Sequence, residues 1–208
     1  MTDNAAAELR LLKIAYDNKP SLWVKTYNNK RTCVLVVDMV EGFCRTGALS
    51  SPRAAAIINP LASVLDYLSD AHKIFICDTH SADAAEFKSY PPHCHTQAES
   101  AVVKELQPFV NRIIPKNSTN GIFALLGAVD DKLYDNYLVT GVCTDICVLQ
   151  LALSLKAYFN ETNSSARVLT FVDYTETYDA PNHNAELHNA FAYKLMEDSG
   201  VQIFKNLK

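Results

Sequence analysis

The amino-acid sequence predicts an α/β fold, a single-domain three-layer sandwich in which helices cover both faces of a six-stranded, mostly parallel sheet. Three observations predict it. Short apolar runs such as T-C-V-L-V-V at Thr32–Val37 are continuous rather than alternating, the mark of strands buried on both faces. These runs alternate with longer segments whose apolar residues recur at helical spacing, and that alternation gives a parallel sheet. The chain has 208 residues, enough for one sizeable core, and no repeat, low-complexity tract or linker divides it.

Residues 5–18 carry Leu9, Leu12, Ile14 and Tyr16 at helical spacing, and Pro20 ends that helix before the polar Y-N-N-K-R connector. Residues 1–30 are thus a helix and connector, and 31–208 the body of the fold. Thr32–Val37 is the first strand, ending at Asp38. A helix over 52–71 follows (Ile57, Ile58, Leu61, Val64, Leu65, Leu68), then a second strand, Lys73–Cys77, ending at Asp78. Thr79 to about Gln97 is a polar loop with prolines, followed by a short helix near 99–107. Arg112–Ile114 is a third strand, ending at Pro115–Lys116. Residues 121–128 read as helical, and Tyr137–Thr140 as the fourth strand. A helix over 144–159, a solvated loop at Asn160–Ala166 and a fifth strand, Arg167–Val172, ending at Asp173 come next. A helix over 182–198, stopped by Gly200, and a sixth strand, Val201–Phe204, complete the order.

About half the residues are apolar and a fifth charged, and the net charge of −4 argues against nucleic acid or an anionic membrane as partner. No apolar run approaches the ~20 residues of a membrane span. The opening M-T-D-N-A-A-A-E-L-R lacks the apolar core of a secretory signal. Six cysteines are too sparse for a disulfide scaffold, and Cys33, Cys77, Cys143 and Cys147 lie in or beside strand-like runs. Reduced thiols and a cytoplasmic location are expected.

The stretch L-V-T-G-V-C-T-D-I-C-V at Leu138–Val148 runs from a buried strand through one glycine into a helix. Thr144 is a natural N-cap, and Asp145 falls in the first turn, where a carboxylate complements the helix dipole. Cys147 is then the third helical residue, where free N–H groups should lower its thiol pKa below the usual ~8.5. A small buried core cysteine is the competing reading. The other strand ends weigh against it. Asp38, Asp78, Lys116 and Cys147 follow four separate strands, and a parallel sheet gathers its strand ends along one edge.

A second group lies between Asp78 and His93. Asp78 and His80 stand two apart in an extended segment and can face one side, while Glu86 and His93 can return from the loop. Asp, His, Glu and His together suit one divalent ion, zinc first, with manganese or iron as alternatives. His95 competes with His93, but Pro91 and Pro92 fix the backbone before His93. Asp173 and the run at 177–184 end strand five on the same edge. His183 and His188, about five apart, are off the spacing for joint ligation and read as helix-surface or interface residues.

V-V-D-M-V-E-G-F at 36–43, D-T-H at 78–80, Y-P-P-H-C at 90–94, Lys116 and G-V-C-T-D-I-C-V at 141–148 together resemble the isochorismatase-like cysteine hydrolases, above all their metal-containing nicotinamidases, or pyrazinamidases. The resemblance covers about residues 31–204, with every motif in family order. It implies an isochorismatase-like domain with Asp38, Lys116 and Cys147 as catalytic triad and Asp78, His80, Glu86 and His93 as metal set, Glu86 replacing a histidine of many members. It also implies a cis peptide at Val142–Cys143, an oxyanion hole from the backbone N–H groups of Cys143 and Cys147, and ring stacking by Phe43 and Tyr90. The partner would be a small carboxamide, and family habits leave room for a homo-oligomer.

The implied reaction is hydrolysis of nicotinamide to nicotinate and ammonia through a Cys147 thioester, as in NAD salvage. A relative acting on another small amide or N-carbamoyl compound, and a non-catalytic metal- or thiol-binding protein, are the alternatives. Three departures bear on the substrate. Val40 and Glu41 stand where glutamine or asparagine is usual, Gln97–Ala98 where glycine-threonine is usual, and N-S-T-N-G after Lys116 is also divergent.

Overall fold

Thr32–Val37 (β1) runs through the middle of the sheet with all six residues buried, as a continuous apolar strand must. The computed structural model describes residues 3–23 and 29–208. The strands are completed by His72–Asp78 (β2), Arg112–Lys116 (β3), Asn136–Val142 (β4), Arg167–Glu176 (β5) and Gln202–Phe204 (β6). Their order is β3-β2-β1-β4-β5-β6, and every pairing is parallel. The expected mostly parallel sheet is therefore wholly parallel. Strand order reverses at the boundary between β1 and β4, and open α/β sheets place their crevice at the carboxyl ends beside such a switch.

Alternate residues of β1 feed two cores. Cys33, Leu35 and Val37 pack with Leu151, Leu155 and Phe159 of Leu149–Glu161 (α6) and Tyr193 and Met196 of Ala185–Asp198 (α7). Val34 and Val36 pack with Phe43, Ala54, Leu61 and Leu65 on the other face. Those four come from Glu41–Cys44 (α2), Pro52–Ala56 (α3) and Ile58–Tyr67 (α4). Asp3–Asp17 (α1) covers α7, where the Tyr16 hydroxyl donates to Glu197 at 3.0 Å. Ile122–Leu125 (α5) closes the first face.

Four local readings change. The helix expected over 52–71 is broken at Ile57, because Pro60 has no N–H to give the Ala56 carbonyl and sits instead in the first turn of α4. No α-helix forms near 99–107, where only a one-turn 3₁₀ helix, Gln107–Phe109, closes the segment. That segment straps the turn after β1, with Glu41 N–H donating to Ala101 O at 2.9 Å, Val103 N–H to Met39 O at 3.1 Å, and Val40 bridging Val102. β3 continues through Pro115 and Lys116, since an edge strand tolerates proline. β5 runs on to Glu176, so Asp173 lies inside it.

The connector at 27–31 falls partly outside the described residues, and its end, Asn29–Arg31, is one tight turn. Among the described residues, no helix is long and apolar enough to cross a membrane. All six cysteines are free.

Candidate active site

The backbone brings the strand ends unusually close. Gly141, at φ +105°, faces Val37 across the β1–β4 pair, and a Cβ there would lie 2.0 Å from the Val37 carbonyl oxygen. Only glycine allows both that φ and that approach. The β4–β5 register shifts at the same point. Asp38, next to Val37, also has a positive φ of 54°, a conformation that costs a non-glycine residue energy and clusters at functional sites. The Val142–Cys143 peptide is cis, as the family resemblance implied.

Thr144 is not the helix cap. The chain enters α6 through one wide π turn, Thr144–Val148, with Cys143 as the cap position and no side chain capping it. The Cys143 carbonyl accepts from the N–H groups of Ile146 and Val148, both at 3.1 Å. Cys147 sits on this turn and reaches the strand-end polar groups.

Those groups form one buried network. The Lys116 ammonium lies 2.9 Å from Asp38 Oδ2, donates to Asp78 Oδ1, and is 3.8 Å from Cys147 Sγ. Asp38 Oδ1 accepts the Asp78 N–H at 2.8 Å, and the Asp38 N–H donates to Ile76 O at 2.9 Å. Lys116 and Asp78 are register partners in β2 and β3, so strand pairing itself sets their contact. Two carboxylates share one cation, all out of water.

Burial decides the protonation tendencies. It pushes Asp38 up to about 6, with the neighbouring Asp78 charge adding to the rise and Lys116 opposing it. Burial also works to raise Asp78, but Lys116 and the contacts with His80 and His93 outweigh it and hold that carboxyl below its ordinary range. Burial disfavours the Lys116 cation, yet Asp38, Cys147 and Asp78 overcome this and raise it well above the usual lysine value. For Cys147 the expectation from its helix position is reversed. Removal from water raises the thiol well above its ordinary value, and the attraction of Lys116 does not offset it. Burial thus favours the protonated sulfur, beside an aspartate whose own carboxyl burial has pushed up to about 6.

Beside this network, Asp78, His80 and His93 bring one ligand atom each to within 4.8 Å of one another. His80 Nε2 and His93 Nε2 each lie 3.5 Å from Asp78 Oδ2, and Glu86 Oε2 is 3.7 Å from His80 Nε2. The outward ring nitrogens are occupied: His80 Nδ1 pairs with Asn117 Oδ1 at 3.0 Å and His93 Nδ1 with Pro91 O at 2.8 Å. Each ring thereby turns Nε2 inward, the arrangement that orients metal-bound histidines. His80 Nε2 and Glu86 Oε2 are buried without a hydrogen-bond partner. Two orphaned atoms among mixed N and O donors fit a divalent borderline ion. His95 is turned away and pairs with Glu99 at 3.8 Å.

A cavity of about 340 Å³ opens onto both groups. Phe43, Tyr90, His93, Cys143, Cys147 and Asp78 all line it, so the two predicted aromatic residues do face the site. Their rings lie 5.6 Å (Phe43) and 6.2 Å (Tyr90) from that of His93. Sequence reasoning missed Phe87, whose ring is 5.4 Å from His80 and 5.7 Å from His93. It also missed Thr119, whose N–H and hydroxyl both donate to Glu86 Oε1, and the wall formed by Ile146. Thr119 and Asn117 belong to the divergent N-S-T-N-G stretch, which was the signal available. Asp173 does not border the cavity but pairs with Lys205 at 2.9 Å, whereas Tyr178 and Asp179 do line it. His188 is a half-exposed residue of α7, whereas His183 precedes that helix, and the two rings stack at 3.7 Å.

The chain matches the family model described as the isochorismatase domain over residues 32–196. It is 24% identical over 199 residues to Nicotinamidase 1 of Arabidopsis thaliana, covering 83% of this chain and 81% of that one. Among solved structures it resembles N-carbamoylsarcosine amidase from Thermoplasma acidophilum, with a TM-score of 0.69, 21% identity, and 84% and 96% of the two chains covered. It also resembles the pyrazinamidase of Pyrococcus horikoshii in complex with zinc, with a TM-score of 0.63, 22% identity, and coverage of 84% and 99%.

Proposed function

The chain belongs to the isochorismatase family, and from that premise we propose that it is a cysteine amidohydrolase converting nicotinamide and water to nicotinate and ammonia. The observation that carries this reading is the buried contact of Lys116 with Asp38 and Cys147, where Cys147 lines a cavity that Asp78 and His93 also line, next to the orphaned atoms of His80 and Glu86. Aromatic side chains lining the cavity suit a flat ring. The sequence likeness to a plant nicotinamidase supports the same substrate class.

In the proposed cycle, Asp38 takes the Cys147 proton and the sulfur attacks the carboxamide carbon. A carboxyl pushed up to about 6 is a better proton acceptor than an ordinary aspartate and still ionised at neutral pH. Lys116 steadies the sulfur and the carboxylate as their charges exchange. The N–H groups of Cys143 and Cys147 hold the tetrahedral oxyanion, each worth on the order of 10²–10³ in rate. Asp38 returns the proton to the departing nitrogen, releasing ammonia and leaving a thioester, then takes a proton from the water that hydrolyses it. Asp78, His80, His93 and Glu86 would hold a divalent ion, which supplies a Lewis-acid anchor for a ring nitrogen.

The test is ammonia release from nicotinamide, pyrazinamide and a panel of N-carbamoyl compounds, with the native chain and Cys147→Ala. Turnover of nicotinamide that vanishes in Cys147→Ala is the expected result. Equal rates in the two proteins refute the nucleophile, and turnover of an N-carbamoyl compound alone moves the substrate assignment to that class.

A further inference from the structure

Asp145, His183 and His188 lie outside the network described above, and they also bring one ligand atom each to within 4.8 Å of one another. We propose that these three residues form a second metal site, selective for a divalent borderline cation of the zinc type.

The hydrogen bonds around the cluster define it. His183 Nδ1 faces the Tyr178 carbonyl at 2.9 Å, and His188 Nδ1 faces the Asn184 carbonyl at 2.9 Å. A carbonyl can only accept, so each Nδ1 carries the hydrogen and each ring leaves Nε2 to face a partner. Asp145 is held in the same manner, with Oδ1 accepting from the Thr177 hydroxyl at 2.6 Å and Oδ2 turned to the rings. Hydrogen bonds to backbone carbonyls behind the rings are the usual supports of metal-bound imidazoles. Two imidazoles and one carboxylate form a donor set that suits zinc and its first-row neighbours.

One contact calls for a cation. His183 Nε2 is 2.7 Å from Asp145 Oδ2. A lone pair facing a carboxylate oxygen at that distance is repulsive, so a positive charge must lie between or beside them, either a proton or an ion. A tetrahedral zinc ion sets two such ligands roughly 3.3 Å apart, given bonds of about 2.0–2.1 Å. Loading therefore opens this contact by about half an ångström. His183 is sandwiched between Tyr178, at 3.9 Å, and His188, at 3.7 Å, which holds its ring in place. His188 is on the outside of that stack and turns out of it to close on the ion.

The site would have a mechanical consequence. Asp145 is two residues before Cys147 on the π turn, and the loop bearing His183 also carries Tyr178 and Asp179 of the cavity wall. A bound ion would tie the nucleophile's turn to that wall and to α7.

The experiment uses the full chain with His80→Ala and His93→Ala, which removes the first cluster, dialysed against zinc and assayed for metal per chain. One ion per chain is expected, with at least a tenfold weaker affinity once His188→Ala or Asp145→Asn is added. No bound ion, or an affinity unchanged by His188→Ala, overturns the site and leaves a proton as the occupant. If the background variant does not fold, the wild-type chain and His188→Ala decide the matter. Loss of one ion per chain on that half-exposed substitution supports the site, and equal metal content overturns it. The readout is metal content rather than hydrolysis, so the result stands apart from the proposed activity.

Discussion

Replacing Lys116 by methionine removes the one cation among two buried carboxylates while keeping most of the side-chain volume. Its ammonium is 2.9 Å from Asp38 Oδ2 and also bonded to Asp78. With an effective dielectric of about 20, one such attraction is about 6 kcal/mol before desolvation. Breaking a buried pair from one side ordinarily costs about 3–5 kcal/mol, because a charge is left alone. The variant has an escape. Asp38 already stands at about 6, and losing its counter-ion pushes it further up, so it can take a proton at neutral pH.

A carboxyl whose folded pKa is raised contributes stability below that pKa and loses it as pH rises through it. Wild-type Asp38 has completed this loss once pH is well above 6. In the variant the loss continues while Asp38 stays protonated, so the gap between the two proteins should widen toward about 1.4 kcal/mol per pH unit, about 2 kcal/mol between pH 6 and 8. Urea unfolding of both proteins at pH 6, 7 and 8, with ammonia release measured alongside, checks this. A constant gap below about 1 kcal/mol, with hydrolysis retained, would refute the account of Lys116 as the cation that keeps Asp38 ionised.

Two further outcomes follow from the same geometry. If Asp38 accepts the thiol proton, kcat/KM should fall with pH below a limb near 6, since only the ionised form can act, and Asp38→Asn should remove both the limb and the turnover. A limb near 4 with the native chain would mean that another group is the base. Gly141→Ala places a Cβ 2.0 Å from the Val37 carbonyl at a φ of +105°, so it should destabilise the fold by about 4 kcal/mol or more, measured by thermal unfolding. A wild-type melting temperature would show that β1 and β4 can separate there without cost.

What could be read from the sequence was whatever depends on period and on strand ends. Continuous apolar runs located β1 and β2 to within a residue at each end, because burial on both faces leaves no other composition. The acids and lysine at those ends could be gathered because parallel topology brings strand ends together without any knowledge of side chains. The failures share a different cause. Thr144 has the composition of a cap, but the cis peptide and π turn before α6 take its place, and neither has a local composition. The strap at 99–103 depends on backbone donors and acceptors left open 60 residues earlier, which periodicity cannot see. Helical spacing separates His183 from His188, yet His183 precedes the helix and meets His188 by folding back over it. The thiol's shift was misjudged for a related reason. Position on a helix suggested a lowered pKa, whereas burial, which only the fold determines, is the larger effect.

Asp78 explains why the two halves of the cavity cannot be treated separately. Its Oδ1 takes the Lys116 ammonium, its Oδ2 faces both inward histidine nitrogens, and its N–H donates to Asp38. Its negative charge raises Asp38, while Lys116 lowers it, so the basicity of Asp38 depends on how much of the Asp78 charge is neutralised from the other side. A cation held by Oδ2 withdraws some of that charge and so lowers Asp38, whereas a chain without one leaves Asp38 more basic but the carboxylates more poorly matched. The proposed proton acceptor and the proposed ligand set thus compete for one carboxylate. Their balance is set by the β2–β3 register, which pairs Asp78 with Lys116 and makes the sheet itself part of the chemistry.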